Sequence, residues 1–164
     1  MIKELTGILT MAILVFASGA ALSGTSWEST TAALAEIEIT TTTDGTKVFS
    51  YKNHGFLLSA AEGDGVLTCT GGGVITESGT MLRLACEVTD RDGDKRHFLI
   101  DRSADESFVK GQGYMRSAGG TGKHADRKYE CVYDYFYMPK IDGMDQAPVV
   151  TNNNCDGDLP SESD

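Results

Sequence analysis

The sequence predicts an all-β protein of many short strands, arranged as a β-sandwich or a closed β-barrel. Apolar and polar residues alternate with a period of two through most of the chain after residue 35, which is typical of half-buried strands. The chain of 164 residues contains 19 glycines, which destabilise helices and suit turns. Glycine-containing turns also separate the alternating segments at short intervals, as in other all-β domains.

Residues 1–23 have the order of a secretory signal peptide. Lys3 lies near the amino terminus, an apolar run covers residues 8–16, and small residues follow that run. Cleavage after Ala21 or Ser23 fits this order best. An uncleaved membrane anchor is the less favoured alternative, because the apolar run is shorter than the roughly 20 residues of a membrane-spanning helix. We therefore expect a secreted or periplasmic protein with no stable membrane anchor after cleavage.

The strands are predicted to lie in one domain, residues 36–138. Residues 24–35 are rich in Ser, Thr and Ala and are expected to form a mobile lead-in. Isoleucine and glutamate alternate at the start of the domain, and Asp44-Gly45 then indicates a hairpin turn. Residues 103–107 are predicted to form a single helical turn. The predicted strands are, in order, residues 36–40, 47–51, 56–59, 66–70, 74–76, 81–89, 95–102, 108–115 and 128–138.

The register of one hairpin follows from its apolar residues, which are even-numbered in both strands. A two-residue loop would place even residues opposite odd ones and so mix the two faces of the hairpin. A three-residue loop, residues 91–93, instead sets Cys86 opposite Phe98. Leu84 then faces Ile100, and the glycine that ends the loop takes the left-handed conformation that such a loop requires. We expect this loop, with a bulge at its glycine.

The four cysteines predict two disulfides, for which three connectivities are compatible with the sequence. Cys69 and Cys86 are the natural pair, because the turn between their strands brings them opposite each other. Cys131 and Cys155 remain as the second pair. Residues 139–164 are rich in Asn, Asp and Ser and nearly free of apolar residues, so they are expected to form an acidic tail without a core. The second disulfide would pin this tail against the last strand.

The chain is acidic, with 24 Asp and Glu residues against 14 Lys and Arg residues and a formal net charge of −10. Such a surface repels the phosphates of nucleic acids and anionic lipids, so neither is an expected partner. A basic protein or a cation is the partner that this charge favours, and plain solubility explains it as well. No cofactor is predicted.

Two glycine-containing motifs invite a chemical interpretation. In Asp90-Arg-Asp-Gly-Asp94, Lys95 stands where an EF-hand requires glycine and no helix flanks the loop, so the EF-hand interpretation fails. A calcium site of another kind remains open, and an acidic hairpin tip in water is favoured over it. Gly119-Gly-Thr-Gly-Lys123 lacks the first glycine of a phosphate loop and is followed by His124 instead of Ser or Thr. His54, His97 and His124 are expected to be surface or turn residues, with no metal site and no assigned catalytic residue.

A stripe of tyrosines marks the last predicted strand, where Tyr129, Tyr133, Tyr135 and Tyr137 share one face with Cys131. In a barrel such a stripe can line a ligand cavity, so these four tyrosines are the candidate ligand-binding residues. Ordinary core and a covering of the outer wall are the alternatives, and they are favoured over the ligand cavity.

The order of these motifs resembles that of exported bacterial proteins of the allene-oxide-cyclase-barrel-like kind. The resemblance covers about residues 66–137 and depends on Cys69, Cys86 with the Asp90–Asp94 turn, the Gly119–Lys123 turn, and Tyr129-Glu-Cys131. It implies a closed antiparallel barrel of about eight strands with a calycin-like architecture. It carries over no catalytic residue, and most bacterial members have no assigned activity.

Three functions are compatible with these features. The first is a non-catalytic binding module for a small apolar or amphipathic ligand. The alternative is an acidic inhibitor or partner of a basic secreted protein such as a lysozyme, and the second alternative is a barrel enzyme of the isomerase or hydrolase type. Whether the protein is an enzyme is left open, with a preference for a protein that is not one.

Overall fold

The computed structural model describes residues 24–103, 107–140 and 142–159. In these residues eight antiparallel strands form one closed barrel, in which each strand pairs with the next and the last pairs with the first. The sandwich alternative is therefore wrong. The strands are β1 (Thr25–Thr41), β2 (Lys47–Leu58), β3 (Gly65–Thr76), β4 (Gly79–Asp90), β5 (Lys95–Arg102), β6 (Lys110–Gly120), β7 (Tyr129–Tyr137) and β8 (Ala147–Gly157), with a short 3-10 turn at Gly122–His124.

Alternation along each strand places the core inside the barrel. In β7 every second residue from Tyr129 to Tyr135 is buried, and the residues between them are exposed. The same alternation runs through β4 and β5, so the inward side chains of all strands meet in one apolar cluster. Closure also satisfies the hydrogen-bonding groups that an edge strand would leave unpaired. The alternating pattern was thus a sound basis for the fold class.

The predicted mobile lead-in is wrong, because residues 25–35 belong to β1. Thr25 begins the strand, which pairs with β8 on one side and β2 on the other. Trp27, Ser29 and Thr31 are buried at alternate positions. The error has a physical reason: most inward residues here are small or polar, so a strand with a buried face resembles a polar linker.

The predicted tail without a core is also wrong in its central part. Ala147–Gly157 forms β8, which closes the barrel between β7 and β1. Its inward face carries polar as well as apolar residues, and Asn153 donates a hydrogen bond of 3.0 Å to the Ser29 hydroxyl. The barrel domain therefore extends from residue 25 to residue 157 and not from 36 to 138. Residues 1–23, where the signal peptide is predicted, and residues 160–164 lie outside the described residues.

Both predicted disulfides are confirmed. Cys69 and Cys86 join β3 to β4, with their Cα atoms 4.1 Å apart. Cys131 and Cys155 join β7 to β8, with their Cα atoms 4.0 Å apart. Each bond links directly paired residues of neighbouring strands. Two such bonds are typical of proteins that mature in an oxidising, extracytoplasmic environment.

The predicted hairpin register is confirmed as well. Cys86 lies opposite Phe98 and Leu84 opposite Ile100. Gly93 ends the loop with a φ of 89°, the left-handed conformation that glycine adopts without strain. The separate strands predicted at 66–70 and 74–76 are one strand, β3, because three consecutive glycines continue it where β2 and β4 approach closely.

The barrel has two ends, each named here by its buried side chains. At the ionic end β1 and β8 meet the loops of residues 59–64, 91–94 and 121–128. At the tyrosine end lie the loops of residues 42–46 and 77–78 and the described parts of the loops of residues 103–109 and 138–146. Residue 141 and residues 104–106 of the predicted helical turn fall outside the described residues. Among the residues that the structure describes, no helix is long and apolar enough to cross a membrane.

Candidate functional site

The inside of the barrel is largely filled by side chains and keeps one small cavity towards its tyrosine end. The volume of this cavity is about 30 Å³, well below the roughly 300–1,000 Å³ of pockets for drug-sized ligands. This volume is about that of one water molecule. The lining combines polar and apolar side chains: Thr31, Tyr51, Asn53, Leu67, Cys69, Leu84, Phe98, Ile100, Arg102, Tyr133, Val149 and Thr151.

Arg102 is the charged residue of this lining. It ends β5 on the inward face, and only 8% of its surface is exposed. Its guanidinium carbon lies 3.3 Å from the centroid of the Tyr135 ring, which is the geometry of a cation–π contact. No carboxylate within the described ranges forms an ion pair with Arg102, and its Nε atom is buried without a hydrogen-bond partner.

The tyrosines around Arg102 do not neutralise its charge. Burial raises the pKa of Tyr51, Tyr133 and Tyr137, although the nearby guanidinium favours their ionised forms. These phenols therefore keep their protons at neutral pH and act as neutral hydrogen-bonding groups. The Tyr133 hydroxyl is buried close to the Arg102 guanidinium but outside hydrogen-bonding geometry, and the Nε atom of Arg102 likewise has no hydrogen-bond partner. Two polar groups that lack partners thus belong to residues that line the cavity.

The rest of the lining divides into a polar and an apolar part. Asn53 donates a hydrogen bond of 3.3 Å to the Tyr51 hydroxyl and accepts one of 3.0 Å from the backbone N–H of Cys69. Phe98 and Ile100 precede Arg102 on the same face of β5, so the apolar side chains on this strand lie nearer the middle of the barrel. The cavity is amphipathic, with its positive charge at the tyrosine end.

Aromatic rings pack above this site at the tyrosine end. The Phe108 ring stacks on Tyr137 with a centroid separation of 5.5 Å and meets the Phe49 ring edge-on, also at 5.5 Å. The Tyr135 hydroxyl donates a hydrogen bond to the carbonyl oxygen of Ser107. These contacts hold the described part of the loop at residues 103–109 against the end of the barrel.

The structure distributes the four candidate tyrosines along the barrel instead of gathering them at one site. Tyr133 lines the cavity, Tyr135 stacks on Arg102 and Tyr137 belongs to the aromatic cluster at the tyrosine end. Tyr129 lies at the ionic end, where its ring packs edge-on against Trp27 at 5.8 Å. All four face inward, so the outer-wall interpretation is wrong, while ligand binding by any of them stays a prediction.

Sequence reasoning missed Arg102, the most informative residue of the site. A signal for it was present, because Arg102 is in phase with Phe98 and Ile100, which were assigned to the buried face. Charged residues are rarely buried without a partner, so a strand-end arginine is ordinarily taken as exposed. Arg96 is in the same phase and was missed for the same reason.

The ionic end contains a second cluster of buried polar side chains, in which arginines and a histidine contact carboxylates. Glu62 lies between two arginines, 3.1 Å from an Nη of Arg96 and 2.9 Å from an Nη of Arg127. His124 lies between Asp90, at 3.1 Å, and Arg127, at 3.2 Å. Each buried arginine at this end has a carboxylate partner, which offsets part of the cost of burying its charge.

The two glycine-containing motifs of the sequence meet at this end. The ammonium group of Lys123 lies 2.8 Å from Asp90 and 2.6 Å from Asp92, and its backbone N–H donates to Asp94 at 3.2 Å. Lys123 thus uses the carboxylates that a calcium ion would need. Across the described residues no group of three or more His, Cys, Asp or Glu side chains has the arrangement of a metal site.

Two sequence predictions need correction at the ionic end. The expectation of a hairpin tip in water holds for Asp92 and is wrong for Asp90, whose side chain is only 3% exposed. Burial opposes ionisation of Asp90, but hydrogen bonds from Lys123 and His124 outweigh it and hold its pKa well below the usual range. His124 lies in a turn but is buried, contrary to the surface prediction, and this burial lowers its pKa.

The other two histidines are more exposed. His97 is half-buried on the outside of β5, 3.1 Å from Glu87. His54 is exposed on β2 and lies 3.3 Å from the Thr68 hydroxyl. Neither residue lies among those that line the cavity.

Comparison with known proteins returns no relative. No protein-family model matches the chain, and no curated protein or solved structure matches it significantly. The closed eight-stranded barrel stands on the structure itself, and the resemblance to allene-oxide-cyclase-barrel-like proteins stays an expectation.

Proposed function

We propose that this protein is a non-catalytic binding module that holds a small amphipathic molecule inside the tyrosine end of its barrel. The observation that carries the proposal is the amphipathic cavity, at which Arg102 and Tyr133 place buried polar atoms without partners. Buried polar groups are ordinarily hydrogen-bonded, so two unsatisfied groups beside one cavity favour an occupant that supplies their partners. The cavity has about the volume of one water molecule, so a larger occupant enters only as the lining side chains move apart.

Binding suits the cavity better than catalysis does. A general acid or base needs a pKa near the working pH. The titratable groups that line the cavity are Arg102, Tyr51 and Tyr133, and the pKa of each is raised from an ordinary value that is already high. Groups that keep their protons at neutral pH donate hydrogen bonds but do not move protons.

The place of action that we propose is outside the cytoplasm, in the periplasm or the external medium. The two disulfides support this proposal because such bonds persist in oxidising environments. The order of residues 1–23 supports it as well, since it is that of an export signal. The ligand would then be a small molecule that the protein meets after export.

A titration with 1-butanol, a small neutral amphipathic molecule, tests the binding function. Backbone amide shifts of the isotope-labelled protein are expected to saturate, with the largest changes at cavity residues. Val149→Phe, which fills the cavity, is expected to abolish the saturable shifts, while Val150→Phe at the neighbouring outward position is expected to leave them. If Val149→Phe does not fold, Thr31→Leu provides a second variant that fills the cavity with a smaller change in side-chain volume. Shifts that stay linear with concentration, or that persist in both cavity variants when folded, would contradict the proposal.

The outer surface supports a second candidate function, binding to a basic protein. Strands β7, β8 and β1 are neighbours and contain no Lys or Arg. Exposed Val132 and Phe136 share their outer face with the carboxylates. The exposed carboxylates of these strands are Glu28, Glu36, Glu38, Glu130, Asp134 and Asp156. We infer that this acidic face would attract a basic partner, because complementary charge steers association.

Retention on immobilised hen lysozyme, used as a basic probe, tests this second function at low and high salt. The triple variant Glu28→Gln, Glu130→Gln and Asp156→Asn is expected to elute at clearly lower salt than the wild type. A control with the same change in charge replaces exposed carboxylates outside the three strands: Glu77→Gln, Asp126→Asn and Asp142→Asn. Equal elution of both variants would show that net charge, and not this face, governs the retention.

A further inference from the structure

The ligand class can be narrowed by comparing the two arginines that face into the barrel from β5. Arg96 is 2% exposed and has a carboxylate partner in Glu62, at 3.1 Å. Arg102 is 8% exposed and has no carboxylate partner among the described residues. Among the residues that the structure describes, one buried arginine thus has a carboxylate partner and the other has none. Because an unpaired buried charge is costly, this difference calls for a compensating group at Arg102.

We propose, building on the binding function above, that the cavity takes a small carboxylate whose negative charge lies against the Arg102 guanidinium. A planar guanidinium matches a carboxylate through parallel N–H···O hydrogen bonds, which are stronger than neutral ones. The Tyr133 hydroxyl, also without a partner, donates to the same anion. One face of the guanidinium is covered by the Tyr135 ring, so the anion approaches its edge.

The positions of the lining residues also set the orientation of this ligand. Phe98 and Ile100 lie further into the barrel than Arg102 on the same strand. Leu67 and Leu84 line the cavity as well. The short apolar group of the ligand therefore points towards the middle of the barrel, and the carboxylate stays at the tyrosine end. Because the cavity itself has about the volume of one water molecule, the short apolar group would occupy space opened between these side chains.

The experiment compares sodium propionate with propionamide, its neutral analogue of nearly the same shape, by following backbone amide shifts of the folded protein. Propionate is expected to bind at least about tenfold more tightly, because a charge-assisted hydrogen bond contributes more than a neutral one. Arg102→Met is expected to remove this preference, while Arg83→Met, which changes an exposed arginine on β4, is expected to keep it. Circular dichroism establishes that each variant is folded, and Arg102→Lys, which keeps the charge, is expected to retain part of the preference.

The other possible results show whether the carboxylate proposal fails alone or together with the proposed binding function. Equal binding of propionate and propionamide, with 1-butanol still bound, would overturn the carboxylate and leave the binding function standing. Tighter binding of inorganic phosphate than of propionate would overturn the carboxylate in favour of another oxyanion. Failure of propionate, propionamide and 1-butanol alike would overturn both proposals. An unchanged preference for propionate in folded Arg102→Met would show that the anion binds elsewhere.

Discussion

Arg96 and Arg102 differ in the partners that the barrel gives them, and this difference decides what each contributes to stability. Arg96 neutralises Glu62 at the ionic end and donates a hydrogen bond of 3.0 Å to the Gly63 carbonyl. Arg102 has a tyrosine ring in place of a carboxylate. A buried pair is expensive to break, while an unpaired buried cation is itself a cost to the folded state. The two arginines therefore have opposite expected effects when they are removed.

Substitution by methionine tests this difference, since methionine keeps the length of the apolar stem. Arg96→Met is expected to lower the free energy of unfolding by about 3 kcal/mol, because it leaves Glu62 buried with one cation fewer. Arg102→Met is expected to change it by less than about 1 kcal/mol, because loss of the tyrosine contact is offset by removal of the unpaired charge. Urea unfolding with both disulfides intact measures the two values. An equal loss in the two variants would contradict the assignment of Arg102 as unpaired.

His124 makes the stability of the barrel depend on pH. Its pKa in the folded protein is lowered from 6.5, with burial as the main cause and with Arg96 and Arg127 adding to it. The unfolded chain therefore binds a proton at this histidine more readily than the folded chain does. The stability associated with neutral His124 is present above pH 6.5 and is lost as the pH falls towards the folded pKa.

As the pH is lowered below 6.5, the free energy of unfolding is expected to fall by up to about 1.4 kcal/mol per pH unit. This slope is the maximum that the binding of one proton can produce. His124→Gln is expected to flatten this dependence, whereas His54→Gln, at an exposed histidine, is expected to leave it unchanged. Urea titrations at a series of pH values measure the slope for all three proteins. A wild-type slope that survives in His124→Gln would place the titrating group elsewhere.

At the scale of the element, β8 shows how a strand can close a barrel with few apolar residues. Asn152, Asn153 and Asn154 are consecutive, and only Asn153 faces inward. Its side chain donates to Ser29 at 3.0 Å and accepts from the Thr151 hydroxyl at 2.9 Å. Hydrogen bonds between polar side chains thus replace apolar packing at the seam between β8 and β1.

Alanine substitutions in this run separate the buried asparagine from its neighbour. Asn153→Ala is expected to lower the free energy of unfolding by about 2 kcal/mol, because it leaves the buried Ser29 hydroxyl and the half-buried Thr151 hydroxyl without their partner. Asn154→Ala, at the exposed neighbouring position, is expected to have an effect below about 0.5 kcal/mol. Thermal and urea unfolding provide the comparison. Equal effects would mean that Asn153 is not part of the packed interior.

The same polar seam explains which elements sequence reasoning could reach. The hairpin of β4 and β5 was predicted to its register, because bulky apolar residues alternate in both strands and a glycine fixes the loop. β8 and the first half of β1 were taken for a tail and a lead-in, because Ser, Thr, Ala and Asn fill many of their inward positions. A strand whose inward residues are also polar shows no alternation of apolar and polar residues, so this pattern does not reveal it. Partner strands distant in sequence, which supply the missing hydrogen bonds, are visible only in the folded chain.

At the scale of the whole molecule, the two ends of the barrel have different electrostatic roles. The sequence shows both motifs of the ionic end, the acidic turn and the glycine–lysine turn. It does not show that the two turns contact each other, so their ion pairs were not predicted. Their side chains neutralise each other, with Lys123 lying between Asp90 and Asp92. In the described part of the tyrosine end, Arg102 lies beside the cavity without a carboxylate partner. This difference between the two ends is the reason for the ligand that we propose at the tyrosine end.

The most direct test of this account follows the side-chain Nε–H resonance of Arg102 by nitrogen–proton NMR while sodium propionate is added. The Arg102 resonance is expected to shift and saturate with the same apparent Kd as the cavity amides, because its Nε–H gains the partner that it lacks in the free protein. The Arg96 Nε–H is likewise buried without a hydrogen-bond partner, but its guanidinium is paired with Glu62 at the opposite end of the barrel. It serves as the internal reference and is expected to stay in place. An Arg102 resonance that does not move while propionate binds elsewhere, or that moves no more than that of Arg96, would contradict the central claim.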